Sequence, residues 1–283
     1  MDILLLKNIV LIAVIILIVL IILYLFLIAP RMFHKPDRTL LYGVHYAHRG
    51  LFDNKSIAPE NSLAAFKKAV DAGYGIELDV QLSKDGIPVV FHDASLKRMC
   101  GVNGKVWDYT LVELKKMHLA ASNEAIPTFS EALEIIAGKV PIIVEYKLDV
   151  PQTKVCELGN ALLTKYETTY HGAYCIESFH PLALIWYKKH RPDVIRGQLC
   201  MEYWKEKEYH GKLVYLLLSY LVTNVATRPD FIAYRHSDAS NLSRRICRKL
   251  GALSVAWTIK SKAQFENARD KFELFIFDSF LLK

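Results

Sequence analysis

The feature that most restricts the fold of this chain is a regular alternation of short apolar runs with amphipathic stretches. Eight runs carry a strand pattern, at 44–48, 76–82, 141–147, 173–179, 194–199, 231–234, 254–258 and 274–278. Between them apolar residues recur three and four apart, as at Leu63, Phe66, Ala69 and Val70, or at Leu242, Ile246 and Leu250. That spacing makes one face of a helix. Gly73, Gly138 and Gly251 stand where such helices should end. Strands alternating with helices imply a parallel sheet, and eight units in about 240 residues predict a (β/α)8 TIM barrel. A doubly wound open sheet is the alternative, but no G-x-G-x-x-G follows the first strand to support it.

Ahead of the barrel, no residue between Lys7 and Arg31 is charged, and 9–29 is almost entirely Leu, Ile and Val. At 1.5 Å per residue such a run spans roughly 30 Å, the thickness of a bilayer's hydrocarbon core. A cleaved signal peptide competes with this reading, yet its apolar part usually covers about 7–15 residues and ends at small residues. Here the run is longer and closes on Ala29-Pro30-Arg31-Met32. The expectation is a single-pass transmembrane helix and linker over 1–40, followed by the barrel over 41–283. Lys7 and Asp2 cancel on one side, while Arg31, Lys35 and Arg38 lie on the other. The positive-inside rule then places the barrel in the cytoplasm.

The five cysteines, Cys100, Cys156, Cys175, Cys200 and Cys247, contain no C-x-x-C pair. This argues against a zinc finger or a disulfide framework and agrees with a reducing compartment. With 52% apolar and 23% charged residues the 283-residue chain is too hydrophobic for disorder. A net charge of +7 suits anionic lipid or phosphate as well as nucleic acid, so it selects no partner.

The chemistry-bearing residues gather at strand ends. The first strand closes on His48-Arg49-Gly50, a weak signal alone. The second carries Glu77 and Asp79, two apart and so on one face of the strand. Adjacent carboxylates repel, and a divalent cation is the usual means of keeping both ionised. Asp85-Gly86 marks a hairpin turn. A two-residue turn there would make paired positions sum to 171, setting His92 opposite Asp79, whereas a one-residue slip would turn it away. Glu145 and Lys147 form another same-face pair at a strand end. In a barrel these ends converge on one mouth. Three carboxylates suit Mg²⁺ or Ca²⁺, two histidines suit acid–base work near neutral pH, and Arg49 and Lys147 suit a phosphate.

In these motifs the chain resembles the glycerophosphodiester phosphodiesterases. The matching segments are His48-Arg49-Gly50, Pro59-Glu60-Asn61-Ser62, Glu77-x-Asp79, Asp85-Gly86 leading to Val89-Val90-Phe91-His92-Asp93, Ile126-Pro127-Thr128, Glu145-x-Lys147, Ser178-Phe179 and Trp257-Thr258. The resemblance covers about residues 44–280 and implies a metal-dependent barrel enzyme that cleaves glycerophosphodiesters to glycerol 3-phosphate and an alcohol. It further implies His48 and His92 as the acid–base pair, Glu77, Asp79 and Glu145 as ligands of one Ca²⁺ or Mg²⁺, and Arg49 and Lys147 as phosphate contacts. Trp257 is the expected pocket wall. The second half departs from the family pattern at Trp257-Thr258-Ile259-Lys260 and at Phe277-Asp278-Ser279-Phe280. Those changes bear on the alcohol or lipid accepted, not on the reaction.

Two other readings compete. One is a lysophospholipase D working on lipids still in the bilayer; another is a membrane-anchored binding module that has lost turnover. Nucleic acid is not an expected partner, because the basic runs at 187–191 and 244–249 lack stacking aromatics and read as solvated helix faces. The apolar run 213–222 is too short to span a bilayer. It reads first as a barrel helix with a broad buried face, and second as a patch beside the pocket that touches the membrane. The other histidines lack a carboxylate partner at motif spacing and read as loop or surface residues, with His180, just after Ser178-Phe179, the best-placed exception for lining the pocket.

Overall fold

The computed structural model describes residues 3–148, 153–278 and 280–282. Its strands are β1 (Tyr46–His48), β2 (Gly75–Leu82), β3 (Pro88–Val90), β4 (Ile142–Tyr146), β5 (Tyr174–Ser178), β6 (Arg196–Cys200), β7 (Phe231–Arg235), β8 (Leu253–Ile259) and β9 (Leu274–Phe277). Eight of them run parallel in the order β1-β9-β8-β7-β6-β5-β4-β2, and β1 pairs with β2 to close the TIM barrel. All eight coincide with the apolar runs of the sequence. The helices are α1 (Ile3–Ile28), α2 (Leu63–Asp71), α3 (Lys97–Cys100), α4 (Leu111–Leu114), α5 (Phe129–Ile136), α6 (Lys154–Tyr170), α7 (Pro181–His190), α8 (Leu213–Ser219), α9 (Asn224–Thr227), α10 (Leu242–Lys249) and α11 (Lys262–Ala268). The expectation of eight strand–helix units is met seven times, since no helix follows β9 among the described residues.

Alternation along each strand separates two cores. Tyr46, Ile143, Cys175, Leu199, Phe231, Val255 and Ile276 fill the barrel interior. Their neighbours, among them Ala47, Val144, Ile176, Ile232 and Ala256, pack outward against the helices. Positions two residues beyond the interior ones therefore project into the mouth. Four cysteines, Cys156, Cys175, Cys200 and Cys247, are buried as small apolar fillers, and all five are free thiols.

Two expectations need correction. β3 pairs antiparallel with β2, but Val80 faces Val90 and Leu82 faces Pro88, so the positions sum to 170. The cause lies in the turn. Ser83 accepts the Ile87 N–H on Oγ (2.9 Å) and donates to Asp85 Oδ1 (2.6 Å), which lengthens the turn to Lys84-Asp85-Gly86. A three-residue turn of this kind ends on a left-handed residue, here Gly86 at φ +78°. The second correction concerns 213–222. In α8, Leu213, Val214, Leu216 and Leu217 are exposed, and Ser219 is the buried residue.

α1 extends further toward the N-terminus than the sequence run and takes in Lys7. Residues 3–23 are exposed throughout, whereas Ile28 is fully buried in the outer core. The last turns of α1 dock on the barrel. Asn224 Nδ2 donates to Ile28 O at 2.8 Å, Tyr24 Oη lies 2.6 Å from Ser243 Oγ, and Arg228 Nη1 reaches Ala29 O at 2.8 Å. The basic run 244–249 is only partly solvated: Arg244 is buried, donating to Ala239 O and Ser254 Oγ and packing over Phe272.

Candidate active site

The local backbone brings the mouth together. Arg49 adopts a left-handed conformation (φ 57°) that aims its own N–H at Glu77 Oε2, 3.0 Å away. Gly50 follows at φ +83°, and a Cβ there would lie 2.9 Å from the Ala65 backbone, so only glycine fits. Pro59-Glu60-Asn61-Ser62 acts through three side chains. Ser62 caps α2 by accepting the Ala65 N–H. Asn61 donates to Asp79 Oδ2 at 2.8 Å. Glu60 grips Arg49 Nη1 (2.7 Å) and Arg98 Nη2 (2.6 Å).

Glu77, Asp79 and Glu145 converge as expected. One oxygen from each lies within 4.8 Å of the others, and all three residues are buried. Lys147 Nζ sits 2.9 Å from Asp79 Oδ1 and 2.6 Å from Glu145 Oε1, and Arg49 Nε lies 3.6 Å from Asp79 Oδ2. A fourth buried carboxyl, Glu177 on β5, stands beside Glu145 in register, and its Oε2 has no hydrogen-bond partner among the described residues. Sequence reasoning missed Glu177, although a lone acid in an otherwise apolar strand was a visible signal. Burial, together with repulsion from Asp79, Glu145 and Glu177, pushes Glu77 well above the usual carboxylate range. Burial and the Glu145 charge do the same to Glu177. Burial opposes the charge on Asp79 too, but Lys147, His92 and Arg49 more than offset it and hold the group well below that range.

With only two cations beside them, Arg49 and Lys147, the four buried carboxyls cannot all ionise, and Glu77 and Glu177 are pushed toward the neutral form. A divalent cation would let the triad ionise together. Opposite oxygens of a Ca²⁺ shell lie about 4.6–5.2 Å apart and those of Mg²⁺ about 4.0–4.2 Å apart. Oxygens within 4.8 Å of one another are close enough to share one ion of either kind.

Each histidine is backed by a carboxylate. His48 Nδ1 is 3.0 Å from Asp278 Oδ2, and its Nε2 is 4.0 Å from Glu77 Oε2. Burial drives the His48 pKa down to about 4, with the Asp278 bond opposing that fall. His92 Nδ1 is 2.6 Å from Asp93 Oδ1, and Asp93 is clamped in turn by Arg98 Nε at 2.6 Å. Although the hairpin register differs from the expected one, His92 still reaches the mouth, where its charge acts on both Asp79 and Glu145. The ladder stops at Val90, and the buried Gln81 amide donates to the carbonyls of Phe91 (2.8 Å), His92 (3.1 Å) and Asp93 (2.9 Å). That clasp turns the chain back toward the site. Gln81 was not singled out from the sequence, and the segment 277–280, expected to bear on the alcohol or lipid alone, instead brings Asp278 directly behind His48; Ser279 lies outside the described residues.

Trp257 meets Phe179 edge-on across the mouth (5.4 Å, 86°), and its buried Nε1 finds no acceptor among the described residues. Next to Glu145 and Lys147 opens a cavity of about 590 Å³, walled by Phe179, His180, Met201, Tyr203, Val214 and Leu218 among others. His180 thus lines the pocket as expected, and its Nδ1 also caps α7 by accepting the Leu182 N–H.

A parallel barrel that collects carboxylates, imidazoles and fixed cations at its C-terminal mouth has the groups that a phosphodiester hydrolase uses. Comparison with known sequences narrows the class. The glycerophosphoryl diester phosphodiesterase family matches residues 48–270. With most of its length covered by that match, the chain belongs to the glycerophosphodiester phosphodiesterase family. A glycerophosphodiester phosphodiesterase of Caldanaerobacter subterraneus is 47% identical over 100 residues, 33% of this chain and 40% of that protein. One from Bacillus altitudinis is 30% identical over 177 residues, 60% of this chain and 71% of that protein. Among solved structures, the Thermotoga maritima glycerophosphodiester phosphodiesterase superposes with a TM-score of 0.60 at 28% identity, covering 83% of this chain and 95% of that one. An Oleispira antarctica phosphodiesterase, solved with the product sn-glycerol-3-phosphate, has the same fold, with a TM-score of 0.65 at 24% identity over 84% of this chain and 93% of that one.

Proposed function

We propose that this protein hydrolyses glycerophosphodiesters to glycerol 3-phosphate and an alcohol, with Glu77, Asp79 and Glu145 holding one Ca²⁺ or Mg²⁺. The observation that carries the reading is the pair of carboxylate-backed imidazoles on a mouth already lined by the acidic triad. When bound, the cation offsets charge on the non-bridging phosphate oxygens. Arg49 and Lys147, both tethered to Asp79, present positive charge to the same oxygens. Asp278 accepts the Nδ1 hydrogen of His48, which leaves Nε2 with its lone pair; a pKa near 4 keeps that imidazole neutral at pH 7, the state a base requires. His48 takes the proton of the attacking glycerol 2-hydroxyl as its oxygen bonds to phosphorus and the P–O bond to the alcohol breaks. This gives a cyclic phosphate that water then opens to glycerol 3-phosphate. His92, paired with Asp93, gives a proton to the leaving alcohol oxygen. Trp257 does not itself wall the cavity; it packs edge-on against Phe179, which does, and so backs the pocket.

We read α1 as a retained membrane anchor. Its fully buried Ile28 and the Asn224 bond to Ile28 O support this, because removing the segment would strip a part of the barrel's packing. A cytoplasmic barrel is the accompanying proposal, resting on Arg31, Lys35 and Arg38. A second reading, lysophospholipase D activity on membrane lysophospholipids, is favoured by the apolar and aromatic cavity beside Glu145. Full-length protein assayed on glycerophosphocholine and on lysophosphatidylcholine, with and without EDTA, separates the readings. Turnover of the first substrate that EDTA abolishes is expected; no turnover of either with any divalent ion refutes both.

A further inference from the structure

The docking of α1 fixes the direction in which it leaves the barrel. In a barrel, residues just after a strand lie at the catalytic mouth and residues just before one lie at the opposite end. Ser243 opens α10 shortly after β7, and Tyr24 meets it; Cys247, one turn down α10, meets Ile28 O at 3.2 Å. Arg31 N–H bonds Pro229 O and Lys35 Nζ bonds Gly251 O, and both acceptors directly precede strands. The chain therefore descends from the mouth to the bottom as it passes from 24 to 35. Read backwards, residues 3–23 stand free above the mouth over roughly 30 Å, one bilayer core.

α8 lies on that same side. It follows β6, its Val214 and Leu218 line the cavity beside Glu145 and Lys147, and its Ser219 O accepts from Asn241, the cap of α10. The outer residues Leu213, Leu216 and Leu217 are exposed, as are Trp204 in the neighbouring turn and Leu242 at the start of α10. A run of this kind on a soluble face would be a liability, yet here it sits around the exit of an apolar helix.

We propose that the outer face of α8, with Trp204 and Leu242 beside it, docks on the bilayer that α1 enters. It holds the catalytic mouth against the lipid headgroups, so that the pocket takes phosphodiesters bearing a hydrocarbon chain directly from the membrane. The proposal rests on the reading of α1 as an anchor and extends the lysophospholipid reading of the site. Shallow insertion of Trp, Leu and Val at the headgroup boundary is what such residues favour.

The test uses full-length protein in phosphatidylcholine nanodiscs. Bromine-labelled lipids should quench the tryptophan emission, and Trp204→Phe should remove most of that quenching. Leu213→Glu combined with Leu217→Glu, two residues outside the cavity wall, should lower hydrolysis of lysophosphatidylcholine in the disc about tenfold while leaving hydrolysis of soluble glycerophosphocholine within twofold, which also reports intact folding. Equal quenching with and without Trp204 would overturn the proposal, as would burial of α8 against a second copy of the chain. If the unmodified protein hydrolyses neither substrate, the proposed activity fails, and the quenching still decides whether α8 meets lipid.

Discussion

Replacing Asp278 by Asn removes the charge behind His48 while keeping the side chain's shape. The bond is 3.0 Å long, and the Asp278 carboxylate is almost wholly buried, so solvent screens it little. A hydrogen bond to a charged partner contributes about 1.5–3 kcal/mol. The His48 ring becomes charged only as it takes the proton, so the loss falls on the transition state. At 1.36 kcal/mol per decade, kcat should drop roughly 10- to 150-fold. KM should hold, because Asp278 stands behind the imidazole, away from the cavity. Asp278 raises the His48 pKa against burial; without it the pKa falls further below about 4, and any acid limb of kcat moves to lower pH. Steady-state kinetics on glycerophosphocholine from pH 4 to 9 would read these effects together. His48→Ala with Asp278→Asn should lose no more than His48→Ala alone, as expected of groups acting as a unit. A kcat within twofold of the unmodified enzyme, or a loss confined to KM, would refute the pairing.

Gly50→Ala should lower Tm by several degrees, since left-handed strain costs about 1–3 kcal/mol and the new Cβ meets the Ala65 backbone; a thermal melt in detergent checks it, and an unchanged Tm counts against the packing described. Glu60 gives a pH signature. Burial alone would raise its pKa, but Arg98, Arg49 and Asn54 hold it at about 2, below its ordinary 4.5. Its stabilisation is therefore complete above pH 4.5 and is lost as the pH falls toward 2. Urea unfolding of Glu60→Gln should show the largest deficit near neutral pH and a shrinking one below 4.5; a deficit constant with pH would contradict this.

The barrel strands could be read from the sequence because apolar runs of the right length leave a buried strand few alternatives. Glu77 with Asp79, and Glu145 with Lys147, followed from the two-residue period of a strand, which covalent geometry imposes. Tertiary partners were beyond that reach. Asp278 meets His48 across 230 positions of sequence, and no local pattern marks such a pair. The hairpin register failed because Ser83 enters the turn through its side chain, and beyond the ladder the Gln81 amide holds the carbonyls around His92. The outward face of α8 was misread for a related reason. Composition records that Leu213, Leu216 and Leu217 are apolar but not which surface covers them.

The most direct test of the account is a calorimetric titration of EDTA-treated, full-length protein with Ca²⁺ and with Mg²⁺. The acidic triad predicts one ion bound per chain, with the heat of binding lost in Glu77→Gln and kept in His92→Ala. Binding that survives Glu77→Gln unchanged, or no binding of either ion by the unmodified protein, would contradict the site at its centre.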